Sequence, residues 1–473
     1  MTLLPRTIVI VGAGFSGTAV AINLLRLSCW KPARVVLVER APHMARGTAY
    51  ADRSYPYLLN VPAGRMSLSS SDPSEFLKFV QQQLPDATAE DFLPRSLYGE
   101  YLESALLDAE LWAPPHVHFH RIRGDVCAIE RTGGGDTSFR VELDDGTRFV
   151  ADDVVLALGN PQPGRLPGTE VLLKSPRYAE DPWASPPVFQ PDETALVIGT
   201  GLTMADIVVA GNETTLEGVS FHAISRHGLV PPSQTAFRHA GCDGQNTALL
   251  HAASFSARRL LRAVRELSEE VEHRGGDWRE AITCVRNLAP TLWQRLPNRE
   301  RRRFLRHVRS YWDVHRHRLP QETLAKLEQL QQENKLHIHA GRILNFELVG
   351  EKIRVRWRAR GSDDIQTLLV DRVINCTGPD YNSIRSRDPL MRSLLAQGLV
   401  TPDSLELGLR TGAHGAAIDS RNRVAGNLYY LGPMLRADYW ECTAAQELRS
   451  HAERLAHHLI APAIKAVVGA SRP

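Results

Sequence analysis

Two glycine-rich turns are the most chemically suggestive features of the sequence. Gly12-Ala13-Gly14-Phe15-Ser16-Gly17 follows the apolar, β-branched run Ile8-Val9-Ile10-Val11 and precedes a helical pattern from Thr18 to Leu27. G-x-G-x-x-G between a strand and a helix is a turn that can hold a pyrophosphate. Gly12 permits the tight turn, Gly14 lets the backbone approach the phosphates, and Gly17 lets helix and strand pack closely. The free N–H groups and the dipole of the helix N-terminus favour the anion. A second buried strand, Arg34 to Val38, ends in Glu39, 22 residues after Gly17, where a carboxylate can bind a ribose diol. A glycine turn alone is weak evidence; strand, turn, helix, strand and terminal acid together are specific.

The pattern recurs. Thr194 to Ile198 is an apolar strand that runs into Gly199-Thr200-Gly201-Leu202-Thr203-Met204-Ala205, with the third small residue displaced relative to the first turn. The next strand, Val219 to Ile224, ends in Ser225-Arg226-His227, with no acid. An arginine there suits a 2′-phosphate, so this turn favours NADP over NAD; the alternative is a solvated loop cation. Two such turns in one chain imply a flavoprotein oxidoreductase, with FAD at the Glu39 turn and its reductant, NADPH or NADH, at the Arg226 turn.

These turns must be positioned by parallel sheets. Gly124 to Gly159 and Gly341 to Gly378 share a layout: an antiparallel meander feeding one last buried strand that ends in Leu158-Gly159 or Thr377-Gly378. Those glycines let the chain pass close to something flat or leave one domain for another. Pro161, Pro163 and Pro167 punctuate a linker into the second turn. The reading is an α/β chain of two Rossmann-like dinucleotide-binding domains with β-meander crossovers and a helical insertion. The FAD-binding domain takes 1–165 and 371–473, and the NAD(P)H-binding domain takes 185–370, with the insertion at about 240–335.

Within the insertion, 299–318 holds eight arginines against Glu300 and Asp313, a net +6 in a chain whose overall balance is only +3. This basic strip reads either as a site for an anionic group or as a solvated helix face. In the tail, Tyr430-Leu431-Gly432-Pro433 is a strand into a glycine turn, and a helix follows Trp440-Glu441-Cys442-Thr443-Ala444. That helix N-terminus could face the pyrimidine edge of a flavin, where negative charge develops on reduction; Trp440 reads equally well as core.

Composition excludes much else. With 473 residues, 43% hydrophobic and 23% charged, the chain has ordinary globular proportions and room for two to four domains. Six scattered cysteines form no Cys-x-x-Cys pair, so neither a disulfide scaffold, a cysteine metal site nor a redox pair is expected. Isolated thiols and the absence of a long apolar run point to a cytoplasmic protein with no membrane or nucleic-acid partner and no bound metal; a homo-oligomer stays open.

With both turns and the tail in hand, the chain resembles the FAD-NAD(P)-binding family of two-dinucleotide-domain flavoproteins, nearly end to end. The resemblance is carried by Val11 to Gly17, Gly47-Thr48-Ala49-Tyr50, Leu58-Leu59-Asn60-Val61-Pro62-Ala63, Asn375-Cys376-Thr377-Gly378-Pro379 and Trp440 to Ala444. Relatives include flavin-containing monooxygenases, amine N-hydroxylases and a bacterial type of urate hydroxylase. The resemblance implies a monooxygenase that uses NADPH and oxygen through a flavin hydroperoxide on a small polar substrate. Urate is the first candidate; N-hydroxylation of an amine, or electron transfer without oxygen insertion, is the alternative. It implies a flavin contact for the Asn60 to Met66 loop, with Asn60, Arg65 and His239 as catalytic candidates. The cofactor residues are then Gly12, Gly14, Phe15, Ser16, Gly17, Glu39, Arg40, Asn60, Met66, Val126, Gly159, Gly199, Gly201, Thr203, Arg226, Thr377, Gly378, Gly432, Trp440 and Thr443.

Overall fold

The computed structural model describes residues 5–27, 32–132, 138–215, 218–235 and 242–461. The first unit opens with β1 (Arg6–Val11), α1 (Phe15–Leu27) and β2 (Ala33–Glu39). Two helices follow, α2 (Glu75–Gln81) and α3 (Arg95–Leu111), and then β3 (Val117–Arg123). The meander β4 (Val126–Arg131), β5 (Phe139–Leu143) and β6 (Arg148–Ala151) forms its own antiparallel sheet and feeds β7 (Asp153–Leu156). β1 pairs in parallel with β2 on one side and β7 on the other, with Val9 opposite Val36 and Val154. All three of those valines are buried, as a parallel strand covered on both faces requires. Each such side chain contributes roughly 1.5–3 kcal/mol.

The second unit begins with the edge strand β8 (Tyr178–Ala179), then β9 (Thr194–Ile198), α4 (Leu202–Thr214) and β10 (Ser220–Ser225). The described residues of the insertion are mostly helical: α5 (Gly244–Ala253), α6 (Ala257–His273), α7 (Trp278–Arg295), α8 (Asn298–His307), α9 (Arg309–Arg316) and α10 (Gln321–Gln332). The sheet resumes with β11 (Leu336–Val349), β12 (Lys352–Ala359), β13 (Ile365–Val370) and β14 (Arg372–Asn375). Its strand order is β13-β12-β11-β10-β9-β14-β8. The chain then returns through α11 (Pro389–Ala396), β15 (Ala416–Ile418), β16 (Val424–Tyr430), α12 (Arg436–Tyr439) and α13 (Ala445–Ile460). This return completes the first sheet as β15-β16-β7-β1-β2-β3, and α13 packs along α1.

The expectation of isolated thiols fails at one pair. Cys242 and Cys284 are joined in a disulfide, with Cα atoms 5.0 Å apart. They lie 42 residues apart and meet because α5 packs on α7, a tertiary event that local cysteine spacing cannot reveal. Cys127, Cys376 and Cys442 are free. No helix among the described residues is long and apolar enough to cross a membrane, and no described cluster of side chains could hold a metal ion.

Three histidines stack across β10 and β11. The His222 ring lies 4.8 Å from His337 and 5.2 Å from His339, with Nδ1 of His222 2.9 Å from Nε2 of His339. Burial, followed by its two histidine neighbours, pushes His222 down to about 4 from an ordinary 6.5. Between those values the unfolded chain takes up a proton that the folded one refuses, so stability falls with pH. Thermal melts should therefore show the melting temperature dropping as pH falls from 6.5 towards 4, with a shallower slope in His222→Gln.

Candidate active site

In both sheets the strand order reverses beside the first strand, and in such sheets ligands bind in the crevice at the carboxyl ends of the strands. The first crevice lies between β1 and β7, the second between β9 and β14. The two are built alike. Gly12 has φ 97°, and a Cβ there would meet the Ala157 carbonyl oxygen at 2.4 Å. Gly199 has φ 115°, and a Cβ there would meet the Cys376 carbonyl oxygen at 2.5 Å. Each glycine is thus demanded by the exit of the strand across the crevice. Those exits continue into Gly159 and Gly378, both at positive φ with open space where a Cβ would stand.

Gly17 also answers to packing, since a Cβ there would lie 1.9 Å from the Gly12 carbonyl oxygen. Its counterpart by register is Met204, fully buried, with Ala205 beside it, so α4 meets its strand through a side chain rather than backbone. Gly14 and Gly201 differ. A Cβ on Gly14 would meet only Gly47 Cα, at an ordinary 3.6 Å, and one on Gly201 would meet nothing within 4 Å. Packing within the chain does not demand glycine at either position, as expected where a backbone must admit a ligand.

The strand ends opposite these turns distinguish the two crevices. Glu39 is buried at the end of β2; its carboxylate accepts from Ala13 N at 2.6 Å and Ala41 N at 2.9 Å. Gly124 N donates to the Glu39 carbonyl oxygen at 2.9 Å, which brings Val126 alongside, and Arg40 pairs with Asp388 at 3.4 Å. The counterpart of Glu39 is Ser225. Its Oγ accepts from Thr200 Oγ1 and from Gly228 N, both at 2.9 Å. Arg226 is exposed beside it, with Nη2 3.5 Å from Ser310 Oγ on α9. The His227 ring packs on Tyr311, and its Nδ1 contacts the Arg360 guanidinium. Burial and those two arginines, Arg360 and Arg226, lower the His227 pKa. Arg360 arrives from the far end of β12, so its approach to His227 has no signal in the local sequence.

Two further segments pack on each other, the loop after β2 and the helix α13 from the return of the chain. The Ala63–Arg65 turn carries Arg65 and leads into the buried Met66, and Asn60 is half-buried just before it. Arg449 on α13 donates to the carbonyl oxygens of Ser67 at 2.7 Å and Ser69 at 3.2 Å, clamping this loop onto that helix. α13 begins after Thr443 with Ala444 as N-cap and no side-chain cap, so the first-turn N–H groups are left for another acceptor. Gly432 and Thr377 sit at the exits of β16 and β14. His239 lies outside the described residues.

Trp440 has φ 55° and ψ −59°, and Glu441 N donates back to the Tyr439 carbonyl oxygen at 2.6 Å. This is a γ-turn of the rare, strained hand, which costs about 1–3 kcal/mol. The ring holds it in place by joining the insertion's core. It stacks on Trp293 at 4.8 Å, meets Phe304 edge-on at 4.9 Å and carries the Arg436 guanidinium at 4.0 Å. The turn aims Glu441 inward. Its Oε1 accepts from Trp312 Nε1 at 2.7 Å and its Oε2 from Arg316 Nε at 2.9 Å. Burial works to raise that carboxyl, but Arg316 and His317 hold it below the ordinary range. A cavity of about 970 Å³ opens beside Arg6 and Val424. It lies at the start of β1 and β16, the end of the sheet opposite the glycine turns, and takes no part in this site.

Residues 9–161 match the model of the FAD-NAD(P)-binding family. No curated protein matches the sequence. Solved structures match its whole length at low identity. L-lysine 6-monooxygenase from Pseudomonas syringae is 17% identical, with 96% of this chain and 99% of that one covered and a TM-score of 0.64. The ornithine N-hydroxylase of Kutzneria sp. 744, solved with reduced FAD, NADP+ and L-ornithine, is 14% identical over 96% and 99%, with a TM-score of 0.61. The cadaverine monooxygenase of Erwinia amylovora, solved with FAD, is 12% identical over 97% and 96%, with a TM-score of 0.63. At such identities the likeness establishes the fold, that of two-dinucleotide-domain flavoproteins.

The glycines separate fold from binding. Gly12→Ala should lower the melting temperature sharply or abolish soluble expression. Gly14→Ala and Gly201→Ala should melt like the wild type yet bind their dinucleotides at least about tenfold more weakly, measured by flavin content and by NADPH titration.

Proposed function

We propose that the protein is an FAD-dependent, NADPH-using oxidoreductase of the monooxygenase type, with FAD on the Gly12 turn and NADPH on the Gly199 turn. One observation carries this reading: two crevices of the same build end in different chemistry, Glu39 in one and Ser225-Arg226 in the other. A carboxylate accepts from the 2′- and 3′-hydroxyls of an adenosine ribose and repels a phosphate at that place. A serine followed by arginine does the reverse, and Arg360 adds a second guanidinium near the same point.

The residues present fit both groups. Gly14 and Gly201 leave backbone room for a pyrophosphate, and the N-termini of α1 and α4 favour its charge. The first turn of α13 offers uncommitted N–H groups where a reduced isoalloxazine would carry negative charge. Asn60, Arg65 and Met66 would line the ring from the clamped loop, with Arg40 and Val126 near the adenosine. Bound flavin supplies acceptance of a hydride and activation of oxygen. The chain itself binds, orients and excludes water.

For the substrate, the solved structures of this fold that act on ornithine, lysine and cadaverine favour N-hydroxylation of an amine over hydroxylation of urate. The purified protein should be yellow and should consume NADPH and oxygen when given its substrate. NADPH oxidation that passes electrons to an added acceptor, with no oxygenated product in air, would replace the monooxygenase with a reductase. Arg226→Ala should raise the KM for NADPH about 10- to 100-fold while leaving NADH nearly unchanged, as measured by initial rates with each nucleotide.

A further inference from the structure

Helix α6 carries its charges in an order that works against the helix itself. Arg258, Arg259, Arg262 and Arg265 stand in its amino-terminal half, and Glu266, Glu269, Glu270 and Glu272 in its carboxyl-terminal half. A helix dipole favours acids in the first turn and bases in the last. On one helix face, glutamate four residues before a basic residue is the better order of a pair. In α6 the first turn holds no acid, and Arg262 and Arg265 each precede a glutamate by four residues, the poorer order.

All eight of these side chains are exposed. Glu270 pairs with Arg274 at 3.8 Å. The other seven, four arginines and three glutamates, pair with no side chain among the described residues. Arg258, Arg262, Arg265, Glu269 and Glu272 follow at steps of four, three, four and three, which sets them in one stripe along the outer face; Arg259 and Glu266 flank it. The opposite face, Ala263, Leu267 and Val271, is buried in the insertion's core.

The stripe is complementary to itself. Turned end for end about the point between residues 265 and 266, it meets its own copy with opposite signs matched. Arg265 falls opposite Glu266, Arg262 opposite Glu269 and Arg259 opposite Glu272, so each glutamate left without a partner meets an arginine left without one. Glu270, already paired, falls opposite the uncharged Leu261. The dipoles of two helices so placed are also antiparallel. Phe255, 61% exposed with the Arg295 guanidinium 5.9 Å over its ring, falls level with Gly275 and Gly276 of the copy, and a Cβ on Gly275 would meet nothing within 4 Å. On the neighbouring α8, whose Glu300 accepts from Ala257 N at 3.0 Å, Arg299, Arg302 and Arg306 are exposed and extend the basic half. A nucleic acid or other polyanion would suit the arginines but would be repelled by the glutamates that continue the same stripe.

We propose that this face joins two copies of the chain in a symmetric dimer, with their α6 helices antiparallel across a two-fold axis at 265–266. Each of the three Arg–Glu pairings then occurs twice. One exposed pair contributes little; six in a single network, bordered by the two Phe255 rings, give the contact its register.

The test is molar mass in solution, measured by sedimentation equilibrium on the full chain as purified. The wild type should be a dimer at low salt and should dissociate as salt is raised. Arg262→Glu and Glu269→Arg should each raise the dissociation constant at least about tenfold, because each sets like charges opposite one another twice. The variant carrying both changes should recover the dimer. So should an equimolar mixture of the two single variants, in which opposite charges meet only across chains. Residues 262 and 269 stand roughly 10 Å apart along one helix, so a role within one chain gives no such recovery; melts of these exposed-site variants check that they fold. A monomeric wild type at low salt, a dimer that neither single variant weakens, or failure of the double variant or the mixture to recover it would overturn the proposal. A monomer that binds heparin through Arg258 to Arg265 would do the same, giving the face to a polyanion.

Discussion

The ion pair between Arg95 and Asp206 ties the start of α3 to the helix that follows the second glycine turn. Arg95 opens α3 and Asp206 lies one turn into α4, directly beyond Gly201; their side chains meet at 2.8 Å, both largely buried. Burial pushes the Asp206 carboxyl up although Arg95 opposes the shift. Arg95 also donates from Nε to the Leu58 carbonyl oxygen at 2.9 Å, and its guanidinium lies over the Tyr57 and Trp183 rings. One side chain therefore joins the strand-like run before Asn60 to the helix that would carry the second dinucleotide. Removing one partner of such a pair costs about 3–5 kcal/mol, because the other is left buried and unpaired. Tyr55 donating to Glu213 at 2.7 Å and Asn375 donating to the Gly164 carbonyl oxygen at 3.1 Å make further ties across the same junction.

With the junction set, the two halves act as variations on one device. Each needs a positive-φ glycine because the exit of the strand across the crevice comes within contact of its backbone, and each leaves a second glycine open for a ligand. The two differ at the next strand end. Ser225 does for Thr200 and Gly228 what Glu39 does for Ala13 and Ala41, holding the turn by side-chain hydrogen bonds, but without negative charge. The insertion and the tail close the remaining side. The strained Trp440 turn is anchored in the insertion's aromatic cluster and delivers Glu441 to Arg316, which ties the basic strip to the tail.

The parts of this arrangement that were legible in the sequence are those encoded within a few residues. Gly12 to Glu39 and Gly199 to Arg226 each carry strand, turn and helix in one continuous stretch, and the two meanders announce themselves by alternation and by their terminal glycines. The displaced small residue at Ala205 was legible too, although its meaning, a helix standing off its strand through Met204, needed packing to interpret. Arginine enrichment at 299–318 was visible, but not its division: the 3.6-residue period could not say which face of α8 meets water or that Arg316 turns inward to Glu441. Glu441 lies far from Arg316 in the chain, as Cys242 does from Cys284, and nothing local links such pairs. The γ-turn at Trp440 has no residue signature at all, since it is imposed by the ring's place in the core.

Two crevices that bring a reductant and a flavin together across the Arg95–Asp206 junction would let hydride pass between them. Anaerobic stopped-flow mixing of the flavin-loaded protein with NADPH tests it most directly. The flavin should be bleached, and Asp206→Asn should slow bleaching at saturating NADPH without changing the amount of NADPH bound. A flavin that NADPH leaves oxidised, or bleaching at an unchanged rate in that variant, would contradict it.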